Sequence, residues 1–167
     1  DYRDAWEIVR RADHPAIGII LDSFHALAPG FPVRAMASIP GDKIFLVQLA
    51  DAPKLELDIL SWSRHFRSFP GQGDLPVGEF MAAIAATGYA GPLSLEIFND
   101  PFRAGSAVQT AVDGLRSLIL LEDQLAPDWP KLISEPLAPK PKSGGTGFIE
   151  FSVNETKAGE LAELVRV

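Results

Sequence analysis

The chain lacks cysteine and has no long apolar run. None of its 167 residues is cysteine, which excludes a disulfide framework, a thiolate metal site and a cysteine nucleophile. No apolar stretch approaches the roughly 20 residues that a transmembrane helix requires. The first residues also lack the apolar core of a secretory signal peptide. We therefore expect a cytoplasmic protein without a membrane partner.

Positive charge is also scarce. The sequence has 15 Lys and Arg residues against 22 Asp and Glu, which gives a formal net charge of -7 and a pI near 4.9. This balance argues against nucleic acid as a partner. The composition, 47% hydrophobic and 22% charged, is otherwise that of a soluble globular protein. The length suits one domain, or parts of two.

Three amphipathic segments predict helices. The residues expected to face inward are Ala5, Trp6, Val9 and Ala12 in the first helix, and Phe80, Ile84 and Ala85 in the second. Pro15 closes the first segment and Gly88 stops the second. The third segment spans 106–126, with Ser106 as its N-cap.

Aliphatic runs at 16–22, 43–51 and 92–100 predict three strands that are buried on both faces. Helices and strands alternate along the chain, which indicates an α/β fold with a parallel sheet. A long polar connection separates Asp51 from Val77. Its length and its helix-like middle favour a functional loop, although its glycines, in FPGQGD, match neither a dinucleotide-binding nor a phosphate-binding loop.

Each predicted strand has one apolar face and one face that carries a polar group near its C-terminal end. Side chains two positions apart share a face. The polar faces are Gly18, Ile20 and Asp22; Ile44, Leu46 and Gln48; and Ser94 and Glu96. The opposite, apolar faces are Ile17, Ile19 and Leu21; Phe45, Val47 and Leu49; and Leu93, Leu95 and Ile97.

The C-terminal ends of parallel strands are where ligands bind in barrels and in open α/β sheets. Asp22, Gln48 and Glu96 would therefore converge there. Two carboxylates buried together need compensation, and a hard divalent cation with oxygen ligands supplies it. Singly, Asp22 could instead be a helix cap, Gln48 a core amide and Glu96 a member of a structural ion pair.

His25 follows Asp22 by three positions. It is either a solvated loop histidine or a group at the rim of the same pocket, where a neutral imidazole could accept a proton. Ser63 and Arg67 are four residues apart in a predicted helical turn and would project from one side. Arg67 could bind a substrate carboxylate, or it could be a solvated arginine paired with Asp58 or Asp74.

Four segments together resemble a known family: IGIILDSFH, IFLVQLAD, FPGQGDLPVGEF and GPLSLEIFND. They resemble the last three strand regions of the sugar phosphate isomerase/epimerase superfamily, the xylose isomerase-like TIM barrels. Within that superfamily the sequence is most similar to bacterial 3-dehydroshikimate dehydratases. Several of these are fused to a domain similar to 4-hydroxyphenylpyruvate dioxygenase, of the vicinal-oxygen-chelate type.

The resemblance implies a divalent-metal site for Mg²⁺, Mn²⁺ or Co²⁺, built from two Glu, an Asp and a Gln. Asp22, Gln48 and Glu96 match three of these ligands, and the remaining Glu would lie outside this chain. The implied reaction dehydrates 3-dehydroshikimate to protocatechuate through a metal-stabilised enediolate. His25 would be the base, and Ser63 and Arg67 would bind the carboxylic acid substrate.

The resemblance also implies the domain organisation. Residues 1–125 would be the C-terminal part of a (β/α)8 TIM barrel and the Pro/Gly-rich segment 126–146 a linker. Residues 147–167 would be the first strand and helix of a truncated dioxygenase-like α+β domain. We then expect a chain that needs its missing N-terminal barrel half or another chain, with a homo-oligomer as one possibility. The alternatives are a metal-dependent sugar phosphate isomerase or epimerase on the same barrel, and an inactive fragment.

Overall fold

The computed structural model describes residues 1–125, so the predicted linker and second domain lie outside the described residues. The elements in chain order are α1 (Tyr2–Ala12), β1 (Ile19–Asp22), α2 (Ser23–Leu27), β2 (Ile44–Leu49), α3 (Ile59–His65), α4 (Val77–Ala86), β3 (Leu93–Leu95), α5 (Asp100–Ala104) and α6 (Ala107–Leu125). Two short 3-10 helices, Val33–Ser38 and Gly41–Lys43, connect α2 to β2. None of the helices in this part of the chain is long and apolar enough to cross a membrane.

The strands form a parallel sheet in the order β1-β2-β3, as the alternation of helices and strands predicted. Asp22 pairs with Gln48, and Gln48 pairs with Ser94 on the other side. Glu96 follows β3 by one residue, and its backbone N–H donates to the Leu49 carbonyl at 3.0 Å. The register therefore brings the three strand ends to one edge of the sheet.

The predicted faces of β2 are wrong at its beginning. Ile44 is buried, although it was placed on the polar face, and Phe45 is 45% exposed, although it was placed on the apolar face. The cause is an irregularity in the pairing, because Ile19 lies opposite Ile44 whereas Ile20 lies opposite Leu46. Phe45 is thus an extra residue in β2, and such a β-bulge shifts the alternation before it by one position.

The prediction that the strands are buried on both faces is wrong for β1 and β2 but correct for β3, where the neighbouring residues Ser94 and Leu95 are both buried. Leu21 and Val47 are almost fully buried, whereas Ile20 is 56% exposed. Helices α4 and α6 contact one another and contribute to the buried core on one side of the sheet. Within residues 1–125 nothing comparable covers Ile20 on the opposite side.

Helices α4 and α6 follow their sequence patterns closely. Phe80 and Ile84 are fully buried in the core, as predicted, and Ala85 is half-buried against it. Ser106 precedes α6, and its hydroxyl accepts from the Gln109 N–H at 3.4 Å, which agrees with its predicted role as an N-cap.

Helix α1 ends at Ala12, followed by Asp13 in the left-handed conformation (φ 43°). Only half of the residues predicted to face inward in α1 do so, because Ala5 and Ala12 are exposed. Tyr2, Trp6 and Val9 form the contact with the core instead. Their large side chains follow the i, i+4, i+7 spacing of a single stripe, and small alanines beside that stripe do not reach the core.

Candidate functional site

Asp22 uses its two carboxylate oxygens for different purposes. Oδ1 accepts from the His25 backbone N–H at 3.1 Å and caps α2, which is the alternative that the sequence left open. Oδ2 accepts from Arg67 Nη1 at 3.0 Å. A strand-end aspartate can therefore be both a helix cap and a member of a polar site.

Gln48 and Glu96 are joined directly. Gln48 Nε2 donates to Glu96 Oε1 at 2.9 Å, and Arg67 Nη1 donates to Glu96 Oε2 at 2.8 Å. Burial of Glu96 raises its pKa, and the neighbouring Asp22 carboxylate raises it further, whereas the charge of Arg67 opposes both effects. The two carboxylates thus share a cationic partner at the C-terminal edge of the sheet.

Arg67 is the centre of the cluster, and its side chain is only 1% exposed. Helix α3 ends at His65, so Arg67 lies beyond the helix rather than in the helical turn that was predicted. A solvated arginine paired with Asp58 or Asp74 is also wrong. Asp58 caps α3 by accepting from two of its N–H groups, and Asp74 accepts from the Lys54 N–H.

The guanidinium group has five N–H donors, and the cluster provides an acceptor for each. Nε donates to the Ser63 carbonyl at 3.1 Å, and Nη2 donates to Ser63 Oγ at 2.8 Å. The second Nη2 proton points to His25 Nε2 at 3.0 Å. The two Nη1 protons are donated to the carboxylates of Asp22 and Glu96. A substrate carboxylate that binds Arg67 must therefore displace one of these partners.

His25 lies in α2, and its side chain is 58% exposed. Arginine can only donate, so Nε2 of His25 accepts the hydrogen bond and carries no proton. The neutral ring then holds its proton on Nδ1. Nε2 also lies 4.0 Å from Asp22 Oδ2.

Residues that sequence reasoning missed hold Arg67 in place. The rings of Phe24 and Phe98 lie 4.8 and 5.2 Å from its guanidinium carbon. Asn99 Nδ2 donates to the Arg67 carbonyl at 2.9 Å. The only available signal was position, because Phe98 and Asn99 lie shortly after the end of β3 and Phe24 lies two residues after Asp22.

Asp51 was also missed, and it explains the glycines of FPGQGD. Its side chain is buried, and Oδ2 accepts from the N–H groups of Gly71 and Gly73 at 3.1 and 2.9 Å. Oδ1 accepts from Ala52 and Leu75 at 2.7 and 3.0 Å. The loop is therefore wrapped around a carboxylate of this chain, and its N–H groups do not form a phosphate site.

The strand-end donors suit a hard divalent cation. Asp22, Gln48 and Glu96 offer carboxylate and amide oxygens, the ligand types that such ions prefer. In residues 1–125 no group of three His, Cys, Asp or Glu side chains is arranged to hold a metal. The third donor here is an amide, and Arg67 contacts both carboxylates.

Comparison with known proteins identifies the fold family. A family model for the xylose isomerase-like TIM barrel matches residues 1–119. The 3-dehydroshikimate dehydratase of Pseudomonas putida is 52% identical over 172 aligned positions, which cover 99% of this chain and 27% of that protein. The chain thus spans about a quarter of the length of this curated relative.

Two solved structures show the same fold. A xylose isomerase-like TIM barrel/4-hydroxyphenylpyruvate dioxygenase fusion protein is 61% identical, with a TM-score of 0.71 over 74% of this chain and 20% of that one. A structure described as IOLI protein with a binding zinc atom is 24% identical, with a TM-score of 0.67 over 74% of this chain and 44% of that one. Together with the family model, these matches confirm the predicted fold: the chain belongs to the xylose isomerase-like TIM barrel family.

Proposed function

We propose that the whole protein to which this chain belongs is a divalent-metal-dependent 3-dehydroshikimate dehydratase that forms protocatechuate. The observation that carries the proposal is the convergence of the predicted side chains on Arg67 at one edge of the sheet. Asp22, Glu96 and His25 all lie within hydrogen-bond distance of its guanidinium group. The similarity to curated 3-dehydroshikimate dehydratases over nearly the whole chain supports the same substrate.

Asp22, Gln48 and Glu96 are the proposed metal ligands, and a further carboxylate from outside this chain would complete the set. When bound, a divalent ion polarises the substrate ketone and stabilises negative charge on its oxygen. Arg67 keeps Asp22 and Glu96 oriented, since Nη1 donates a hydrogen bond to one carboxylate oxygen of each. Mg²⁺, Mn²⁺ and Co²⁺ are the candidates for the ion.

His25 is the proposed base. Its unprotonated Nε2 is the ring nitrogen that can accept a proton from the carbon beside the ketone. Protonation would place two donors face to face, because Arg67 Nη2 already points to this atom at 3.0 Å. His25 must therefore turn away from Arg67 when substrate binds, and its 58% exposure leaves room for this.

The same movement frees a donor for the substrate. Once His25 leaves, Nη2 of Arg67 and the hydroxyl of Ser63 are available to a carboxylate. The base removes the proton from the carbon beside the ketone and passes it to the hydroxyl group on the next carbon, which departs as water. A second ring proton then moves to the ketone oxygen, which becomes the phenol hydroxyl of the aromatic product, protocatechuate. Binding of the substrate carboxylate to Arg67 is thereby coupled to the movement of His25 away from Arg67.

The test uses the full-length protein with 3-dehydroshikimate, and it follows protocatechuate by absorbance and chromatography. We expect activity that is lost on chelation and restored by one of the three ions. We also expect His25→Ala to reduce kcat at least 100-fold, whereas the exposed His14→Ala serves as the matched control. Absence of protocatechuate together with turnover of a keto-sugar would instead identify an isomerase or epimerase.

A further inference from the structure

We propose that Phe98 is a positioning residue that fixes the guanidinium plane of Arg67 in the active site. The kinetic part of this inference rests on the proposed function. The structural part rests on contacts in the cluster itself. Phe98 would act together with Phe24, and neither ring would need to touch the substrate.

The geometry is that of a cation held by aromatic rings. The guanidinium carbon of Arg67 lies 4.8 Å from the ring centre of Phe24 and 5.2 Å from that of Phe98. Both distances fall within the roughly 6 Å at which a cation is attracted to an aromatic face. The attraction is strengthened by burial, and the Arg67 side chain is only 1% exposed.

Packing of the core does not explain the position of Phe98. The preceding residue, Ile97, packs against both apolar clusters of the protein, which are centred on the sheet and on Phe24. Phe98 is half-buried, yet among the described residues it belongs to neither cluster. Its ring contact with Arg67 is therefore the interaction that accounts for an aromatic side chain here.

The backbone around Phe98 holds Arg67 as well. The Arg67 N–H donates to the Phe98 carbonyl at 3.1 Å, and Asn99 Nδ2 donates to the Arg67 carbonyl at 2.9 Å. The residues that follow β3 thus fix both ends of the arginine, its main chain and its guanidinium group. Such support is required because a shift of about 1 Å in a positioning group can cost about 100-fold in rate.

A fixed guanidinium plane matters because the arginine has several partners at once. Its N–H groups point toward Asp22, Glu96, His25 and Ser63 in directions set by the planar fork. Rotation of the plane would weaken these contacts together. The ring of Phe98 limits that rotation. Phe98 should therefore affect the rate of the reaction without contacting the substrate.

The kinetic test compares Phe98→Leu, Phe98→Tyr and Phe102→Leu in the full-length protein with 3-dehydroshikimate. Phe102 is the matched control, because it is also half-buried but stacks on Phe69 at 5.1 Å. We expect Phe98→Leu to lower kcat/KM about tenfold, which is the loss of a desolvated cation–ring contact. Phe98→Tyr should retain most activity, since it keeps the aromatic face. Phe102→Leu should stay within about twofold of wild type.

A spectroscopic readout separates this inference from the proposed function. Nitrogen-15 labelling of arginine should show an Arg67 Nε resonance shifted by ring currents, assigned through its loss in Arg67→Lys. We expect this resonance to move in Phe98→Leu and to stay in place in Phe102→Leu, whether or not the protein dehydrates the substrate. An unmoved resonance in Phe98→Leu, or a Phe98→Tyr variant as impaired as Phe98→Leu, would overturn the proposal.

Discussion

At the scale of single residues, Arg67 joins parts of the chain that are distant in sequence. It lies 45 residues from Asp22 and 29 from Glu96, yet one of its nitrogen atoms contacts both carboxylates. Removal of one partner from a buried ion pair leaves the other charge uncompensated, which usually costs more than the pair contributes. Arg67 is therefore required to keep the two carboxylates side by side at this edge of the sheet.

We expect Arg67→Lys to lower kcat/KM on 3-dehydroshikimate at least 100-fold. A lysine keeps the charge but has three donors on a single nitrogen, so it cannot reach Ser63, His25 and both carboxylates together. The control is Arg116→Lys, because Arg116 is 72% exposed and pairs with Asp113 on the surface. Steady-state kinetics of both variants check this, and near-normal activity of Arg67→Lys would show that charge alone suffices.

Asp51 supports the loop 70–75 by accepting from three of its backbone N–H groups, and it also accepts from the N–H of Ala52. Asp51→Asn would replace one acceptor oxygen by an amide that faces N–H donors. We expect the free energy of unfolding of the barrel to fall by about 3 kcal/mol, since hydrogen bonds to a charged acceptor contribute about 1.5–3 kcal/mol each. Urea unfolding of the full-length protein measures this, with the exposed Asp42→Asn as control. Equal midpoints for the two variants would contradict the structural role of Asp51.

The residues of the site could be predicted from the sequence better than their contacts could. Alternation along a strand, combined with parallel pairing, is enough to bring Asp22, Gln48 and Glu96 to one edge. The role of Arg67 as their shared partner could not be predicted, because it depends on where α3 ends. The chain leaves the helix after His65, and only the tertiary fold then directs Arg67 inward.

At the scale of elements, the pairing of β1 with β2 shows where the sequence pattern fails. Runs of aliphatic residues predicted both strands, but the extra residue Phe45 carries no signal of its own. It is followed by a regular apolar–polar alternation, so the error affects only the beginning of β2. The C-terminal ends, which carry the polar residues, keep the predicted alternation of faces, and Gln48 pairs with Asp22 there.

In the loop 70–75, the close packing around Gly73 predicts that a larger residue there destabilises the protein. A Cβ on Gly73 would lie 2.4 Å from the Ala52 backbone and from Asp51 Oδ1, so the loop would have to move. We expect Gly73→Ala to destabilise the barrel by about 2 kcal/mol, the usual cost of overpacking.

Gly78 provides the matched control in the adjacent helix. It lies in α4, and a Cβ there meets nothing within 4 Å. Gly78→Ala should be neutral or stabilising by up to about 1 kcal/mol, because alanine favours a helix. The midpoints of thermal unfolding of the two variants measure the difference. A Gly73→Ala variant as stable as Gly78→Ala would mean that the loop adapts without cost.

At the scale of the whole molecule, the described sheet is one part of a larger architecture. Barrels of this kind have eight parallel strands, whereas residues 1–125 contain three. In this part of the chain β1 and β3 each pair only with β2, and Ile20 and Phe45 are exposed. An unpaired strand edge beside exposed apolar side chains tends to associate with other chains.

The open sheet leads us to predict how the 167 residues behave when they are expressed alone. We expect them to self-associate, to bind no stoichiometric divalent metal with high affinity and to produce no protocatechuate, because the proposed site would lack a ligand and the opposite wall. Light scattering, isothermal titration with Mn²⁺ and the absorbance assay test these points, with the full-length protein as positive control. Addition of the remaining barrel residues as a separate chain should restore metal binding. A monomer that binds one ion tightly would instead show that Asp22, Gln48 and Glu96 suffice, and that the rest of the barrel serves the substrate rather than the metal.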